Sequence, residues 1–364
     1  MDLVLSEEQR MLQRTARDFV ATRSSLKRVR SLQDSRGFSR ELWGEMAKLG
    51  WLDPELPARF SMILLEEFGR ALLPEPVLSC VLLGAGALVL GGTSAQKGEH
   101  LRAIAAGERL VALAFQERRS RYSLDRIETR AERVAGGFVL HGEKEQAMGA
   151  GAADWLIVSA RTEDGLSLLL VPKSAAGVTV EPQERLDGRD AAIVRLAGVR
   201  VEADALVGES GRGLALLERV VDRASVGLCT EMVGLSSAAF DMTLDYLKTR
   251  VQFGVPIGSF QALQHRAARM FVELELARSA VMLAHAMVEE GANERAVARA
   301  SSVAKAKCAD VTMLVVHEGI QMHGGIGMTE EHDMGLYVKR ARVAELTFGD
   351  AAFHRDRFAQ IEGY

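Results

Sequence analysis

Cysteine is scarce in this 364-residue chain: Cys80, Cys229 and Cys308 stand far apart, each in apolar surroundings. That excludes a disulfide framework and predicts buried, reduced thiols in a cytoplasmic protein. A strong charge of either sign is missing too. The formal net charge is −4, with acids and bases mixed along the chain, so no electrostatic nucleic-acid surface is expected. The short basic run Lys339, Arg340, Arg342 reads as a solvated helix face. No apolar run suffices for a membrane span: Val77 to Gly92 falls short of the roughly twenty residues required and is rich in glycine. The opening MDLVLSEEQRML is acidic and amphipathic where a secretory leader would be basic and then apolar. Internal repeats and low-complexity segments are absent.

Several chemistries are excluded on spacing. His317 and Glu318 begin a zinc-protease-like pattern, but the next histidine, His323, falls about 120° round a helix, so the two cannot share a metal as an i, i+4 pair does. Val207 to Gly213 is rich in glycine yet lacks the Gly-Lys-Ser/Thr ending of a phosphate loop. No nucleophile elbow and no cysteine–histidine pairing is present. No metal site is expected.

What is present is a large hydrophobic share, 48%, enough for a sizeable core spread over two or three domains. The first hundred residues are helical in pattern. Ser6 with Gln9 has the form of a capping start, Ser39 to Leu49 fits a helix ending at Gly50, and Phe60 to Leu72 fits another stopped by Pro74 and Pro76. Near Leu110 the pattern changes to short runs rich in β-branched residues, FVLHGEK, WLIVSAR, LSLLLVP and AAIVRLAGVRV, separated by glycine, aspartate or proline. From Leu214 the helical period returns, to Thr249, again from Met270 to Val288, and again from Ala300 to Ile320. The expected organisation is an N-terminal helical domain (1–108), a middle β domain (109–207) and a C-terminal helical domain (208–364).

Two breaks in the helical part carry the most information. Phe253-Gly254-Val255-Pro256 must interrupt two long helices, because Pro256 cannot continue the first and Gly254 permits a turn. It can aim Arg250 and Gln261 at something outside the helices. Gln321-Met322-His323-Gly324-Gly325-Ile326-Gly327 follows the last long helix, where clustered glycines leave the backbone bare for a ligand.

Together, RVQFGVPIGSFQALQH and QMHGGIG resemble the acyl-CoA dehydrogenase family of flavoproteins over nearly the whole chain. Within it they are most similar to the small-subunit type of pimeloyl-CoA dehydrogenase, through YLKTRVQFGVPIGSFQALQHRAA and HGGIGMTEE. The resemblance implies an α+β fold: N-terminal helices, a middle β-barrel-like domain and a C-terminal four-helix bundle. It implies FAD as cofactor, an acyl-CoA or other acyl thioester as substrate, and an electron-transfer flavoprotein as acceptor. The family reaction takes a proton from the carbon next to the thioester and passes the β-hydride to the flavin, so it needs a carboxylate base, a polarised carbonyl and a positioned flavin.

By resemblance, Arg250, Phe253, Gln261, Gln321, Gly324 and Gly325 reach across to a neighbouring subunit's FAD; a guanidinium suits a pyrophosphate because it offers paired donors and a fixed charge. The half that would hold the chain's own flavin departs from the family. Phe115-Gln116-Glu117-Arg118-Arg119-Ser120-Arg121 stands in place of a Thr-Glu-Pro-Gly-Ala-Gly-Ser-like loop, and Gln146-Ala147-Met148 in place of a Trp-Ile-Thr-like strand. The family's base glutamate matches Phe348, and its alternative on an earlier helix matches Ala224. Asp350 is the remaining candidate base, with Glu231 behind it. Three readings follow: the smaller subunit of a heteromer whose larger paralogue supplies the base, a homodimer or tetramer using Asp350, or a flavin-free scaffold on the same fold.

Overall fold

The computed structural model describes residues 4–33 and 37–364; the first three residues of the amphipathic opening lie outside them. Ser6 starts α1 (Glu7–Arg23) with a reciprocal capping box, its hydroxyl accepting the Gln9 N–H at 3.2 Å while the Gln9 amide oxygen accepts the Ser6 N–H at 3.0 Å. Helix α2 (Leu26–Gln33) follows, then α3 (Arg40–Lys48), capped by the Ser39 hydroxyl. Helix α4 (Ala58–Arg70) begins and ends two residues earlier than its periodicity suggests. Pro57 is suited to the position before a first turn, and Leu72 adopts φ +51°, which ends the helix before either downstream proline does. The apolar stretch expected to be too short for a membrane folds as a wide-turn π segment (Val77–Ala85) and α5 (Gly86–Gly91), followed by α6 (Ser94–Ala105). Among the described residues no helix is long and apolar enough to cross a membrane.

The β-branched runs form β1 (Val111–Ala114), β2 (Arg130–Val134), β3 (Gly137–Met148), β4 (Trp155–Thr162), β5 (Gly165–Pro172), β6 (Val178–Pro182), β7 (Ala191–Glu202) and β8 (Leu206–Val207). They lie in one sheet in the order β6-β7-β3-β2-β4-β5-β8, with β1 parallel to β4 and most other pairs antiparallel. Its core is Phe138, Leu140, Leu156, Val158, Leu169, Val171, Val194 and Val199 among others, the residue types that fit a half-buried pleated surface. The β3–β7 ladder slips its register twice, the second time between Lys144 and Ala147.

The C-terminal part is α7 (Gly213–Thr249), a hairpin of β9 (Val251–Gln252) and β10 (Val255–Pro256), α8 (Gln261–Glu289), α9 (Glu294–His323), α10 (Met334–Leu346) and α11 (Ala351–Glu362). Helix α9 starts ahead of its apolar period because Asn293 caps it, accepting the Ala296 N–H at 2.9 Å. Helices, then sheet, then a helical bundle is the acyl-CoA dehydrogenase-like order. The chain packs as two compact units, one made of residues 1–31, 57–73 and 225–364, the other of 32–56 and 74–224. In the first, α4 and α7 cross backbone to backbone: a Cβ on Gly69 would lie 2.2 Å from the Glu231 carbonyl oxygen, and one on Gly234 2.0 Å from that of Glu66. The three cysteines are buried and unbridged.

One expectation fails. Arg340 does not lie on a solvated face; it is 3% exposed and forms paired bonds to Glu231, Nε to Oε1 and Nη2 to Oε2, each 2.8 Å. Sequence neighbours on a helix point in different directions, so a basic run need not share one environment.

Candidate cofactor-facing surface and base position

The two motif breaks meet at one end of the helical unit. Tyr246, one turn before the end of α7, stacks on His323 at the end of α9 with ring centroids 4.6 Å apart, and His323 meets His332 at 4.5 Å. His323 is buried and its Nδ1 lies 2.6 Å from the Gly319 carbonyl oxygen. It therefore packs, fixing Arg250 and the Gly324 turn as neighbours. Beyond α7, Phe253 and Gly254 form the two-residue turn of the hairpin, both left-handed (φ +54° and +80°), as the twist of a tight hairpin demands. Gly254 adopts that conformation freely, whereas Phe253 does so at a cost of about 1–2 kcal/mol, and the residue is 92% exposed. A strained, outward-facing aromatic is a feature of binding surfaces.

The polar groups around this ring are uncommitted. Arg250 is exposed and, among the described residues, no carboxylate pairs with it. Gln261 opens α8, whose preceding residue, Phe260, offers no capping side chain and whose first turn holds no acid. The positive end of that helix dipole is thus open to an anion. Gln321 is exposed in the last turn of α9. Gly324 closes that helix at φ +66°, and a Cβ on Gly324 or Gly325 would meet nothing within 4 Å, so the backbone is bare to an approaching group. Together these sequence-derived positions make one exposed surface with a free guanidinium, an open helix terminus and accessible backbone, a set suited to a diphosphate.

The turn between α10 and α11, where a base would stand, is fully built. Lys305 on α9 has no exposed surface and its Nζ donates to the carbonyls of Glu345 at 2.8 Å and Gly349 at 2.6 Å. Burial pushes its pKa down to about 8, which leaves it protonated near neutrality. His354, held neutral by burial and by the charge of Lys305, has its pKa pushed down to about 3 and places Nε2 3.2 Å from the Phe348 carbonyl oxygen. Phe348 sits left-handed at φ +64° and is 7% exposed; Gly349 follows at φ +120°. The residue at this turn is thus a buried phenylalanine, which has no group to ionise. Asp350 is half-buried and caps α11, Oδ1 accepting the Phe353 N–H at 2.9 Å. Glu231 is engaged by Arg340, as described above. On α7, Ala224 is wholly buried and has no group to ionise.

In the sheet-bearing unit, the loop after β1 is anchored by Glu117. Its Oε1 accepts Lys144 Nζ at 2.6 Å and the Thr129 hydroxyl at 2.6 Å, and its Oε2 accepts the Glu128 N–H at 2.6 Å. Burial alone would raise the Glu117 pKa, but the Lys144 charge and these bonds outweigh it and hold it below the usual range. The anchor leaves Arg118, Arg119 and Arg121 exposed. In the second register slip of β3, Gln146 takes φ +52° and donates its N–H to Gln183 at 2.7 Å, while Met148 is buried. Where a flavin would meet a strand hydroxyl, this strand offers a thioether without a donor.

The family models for the acyl-CoA dehydrogenase N-terminal, middle and C-terminal domains match residues 6–108, 112–199 and 211–361. The chain belongs to the acyl-CoA dehydrogenase family. It is 28% identical to probable acyl-CoA dehydrogenase YngJ of Bacillus subtilis, with 98% of each chain covered. Among solved structures, the Tcur3481-Tcur3483 steroid ACAD is 28% identical with a TM-score of 0.88 over 98% of both chains. Butyryl-CoA dehydrogenase from Megasphaera elsdenii shares the fold at a TM-score of 0.92 and 24% identity over 99% of both. Acyl-CoA dehydrogenases are oxidoreductases of acyl-CoA, generally FAD-dependent. Tested against that cofactor, the two halves differ. The surface formed by Arg250, Gln261, Gln321, Gly324 and Gly325 fits a flavin nucleotide's diphosphate, whereas the Arg118–Arg121 loop and Met148 lack the glycines and the hydroxyl of the family's home site.

Sequence reasoning missed the carboxylates' partners. Glu231–Arg340 joins residues 109 apart, and Glu117–Lys144 joins residues 27 apart; no periodicity encodes either. The signal available was indirect and held only for Glu231, an acid within an apolar stretch of α7.

Proposed function

We propose that this chain is the smaller subunit of a heteromeric acyl-CoA dehydrogenase, of the small-subunit type resembling pimeloyl-CoA dehydrogenase, that works with a larger paralogue. The observation carrying this reading is the base turn: it is complete in its backbone supports yet holds Phe348. The carboxylates weighed as substitutes are committed elsewhere, Glu231 to Arg340 and Asp350 to the first turn of α11.

In this reading the larger subunit supplies the base and most flavin and thioester contacts. Its bound FAD takes the hydride as the acyl thioester becomes a 2-enoyl thioester, and an electron-transfer flavoprotein accepts the electrons. This chain lends binding: Arg250 neutralises and orients the diphosphate with paired donors, Gln261 and Gln321 add amides, Gly324 and Gly325 allow close approach, and Phe253 covers apolar surface.

The test is the absorption spectrum of the chain purified alone and again after co-expression with a glutamate-bearing paralogue. The expected result is a colourless chain alone and one FAD per heterodimer, with Arg250→Ala emptying the shared site. A chain that is yellow alone and bleached by an acyl-CoA overturns the subunit reading and makes Asp350→Asn the next variant. A chain that takes up no flavin even with a partner leaves the scaffold reading.

A further inference from the structure

Helix α4 begins in an electrostatic position that the protein does not resolve by itself. Pro57 precedes it and gives no side-chain cap, and its first turn contains no acidic residue. The first N–H groups of a helix lack intrahelical acceptors and carry the positive end of its dipole. Into this turn the chain places another positive charge: Arg59, the second residue of the helix, is 4% exposed. Its Nε and Nη1 are sealed from solvent and no protein group accepts a hydrogen bond from them. The guanidinium reaches toward α8, where its charge acts on His285.

The surroundings supply no counter-charge. His285 on α8 is 5% exposed and feels the Arg59 charge, which together with burial keeps the ring neutral. The Thr230 hydroxyl on α7 donates to the Val226 carbonyl at 3.0 Å, so it accepts from His285 Nε2 at 2.8 Å, and the ring contributes no negative charge. Among the described residues no carboxylate pairs with Arg59. A buried ion without a partner is one of the costliest arrangements a fold can hold, while a helix start beside a guanidinium is a ready anion site.

We propose that the buried guanidinium of Arg59, carried by the half-exposed first turn of α4, binds a compact anion: a carboxylate or a small inorganic anion such as chloride. The geometry provides the unpaired Nε and Nη1 of Arg59, while the Phe60 and Ser61 N–H groups already donate to the Pro57 carbonyl, and the neutral His285 neither repels nor replaces the guest. The inference stands apart from the subunit reading, since α4, Thr230 and His285 belong to the same compact unit and no flavin contact is involved.

The experiment follows thermal unfolding of the full chain, with its partner where one co-purifies, in a bulky sulfonate buffer at constant ionic strength while chloride or acetate replaces the buffer anion. Wild-type protein is expected to gain a saturable rise of roughly 2 °C or more at saturation. Arg59→Met is expected to lose that response and to melt no lower than the anion-free wild type. A response to chloride assigns an inorganic guest, and one to acetate alone assigns a carboxylate. No saturable response in the wild type, or the same response in Arg59→Met, overturns the proposal and leaves Arg59 to buried water. If Arg59→Met does not fold, the wild-type titration still decides, and chloride-35 NMR broadening by wild type but not by Arg59→Gln replaces the comparison.

Discussion

The pair Glu231–Arg340 gives the sharpest quantitative test, because a stability role and a catalytic role predict opposite outcomes. Both side chains are nearly sealed, 9% and 4% exposed, and joined by paired bonds of 2.8 Å. Arg340→Met deletes the guanidinium and keeps most of the volume, leaving a buried carboxylate uncompensated; the expected loss is about 3–5 kcal/mol. Glu231→Gln leaves the arginine with one neutral acceptor and should cost about 2–3 kcal/mol. The double variant Glu231→Gln/Arg340→Met removes both charges, so it should cost less than the sum by more than about 1.5 kcal/mol. The assay is urea unfolding by circular dichroism near pH 7.5, with the double-mutant cycle read from the transition of the helical unit. A cost below about 1 kcal/mol for Arg340→Met, or strict additivity in the cycle, would refute the reasoning, since exposed pairs behave that way. Glu231 would then be free to titrate, and its candidacy as a base would reopen.

The other predictions rest on single groups. Lys305→Met removes both donors that fix the turn at Gly349; a destabilisation of about 2–4 kcal/mol is expected, with faster hydrogen exchange at residues 345–350. For pH, burial pushes His285 down to about 4, well below the usual value, and the Arg59 charge adds to this. The unfolded chain then takes up a proton that the folded chain refuses, so stability is lost as pH falls from the unfolded pKa toward the folded one. The slope should be about 1.4 kcal/mol per pH unit for this group, and His285→Gln should flatten the urea-midpoint profile between pH 6.5 and pH 5. Gly69→Ala would force a methyl 2.2 Å from the Glu231 carbonyl oxygen; a loss above about 3 kcal/mol or insoluble protein is expected, and a wild-type melting temperature would contradict the close α4–α7 crossing.

Local rules made much of the fold legible. Ser6 with Gln9, Ser39 and the long 3.6-residue periods each act within a few residues, and the Ser6 capping box, the Ser39 cap and the helices follow them. The Phe253–Gly254 turn was legible because Pro256 forbids a continuous helix and Gly254 tolerates a left-handed residue. Arg340 was not, because its environment is set by Glu231 on another helix. Arg59 was invisible for the same reason: an arginine in a first turn reads as solvated until α7 and α8 are packed around it. The π segment was also hidden, since Val77–Ala85 has the composition of any buried helix and its wider turn depends on packing, including the approach of Gly84 to β1.

The distinction between committed and uncommitted groups bears most directly on function. For Asp350 to act as a base, its carboxylate would have to leave the Phe353 N–H, forfeiting a cap worth about 1 kcal/mol. It would also have to reach from beyond Gly349, on an arm shorter than a glutamate's. Phe348 itself holds a left-handed backbone that Lys305 and His354 fix from inside, so a simple rotation does not exchange the two residues' places. The side chains of Arg250 and Gln321 carry no such obligations; both are exposed at one end of the helical unit, beside Gly324 and Gly325, where a side chain would meet nothing within 4 Å. Under the proposed subunit reading, the commitment of Glu231 and Asp350 and the freedom of the Arg250 and Gln321 side chains suit completing another subunit's site better than abstracting a proton in this one.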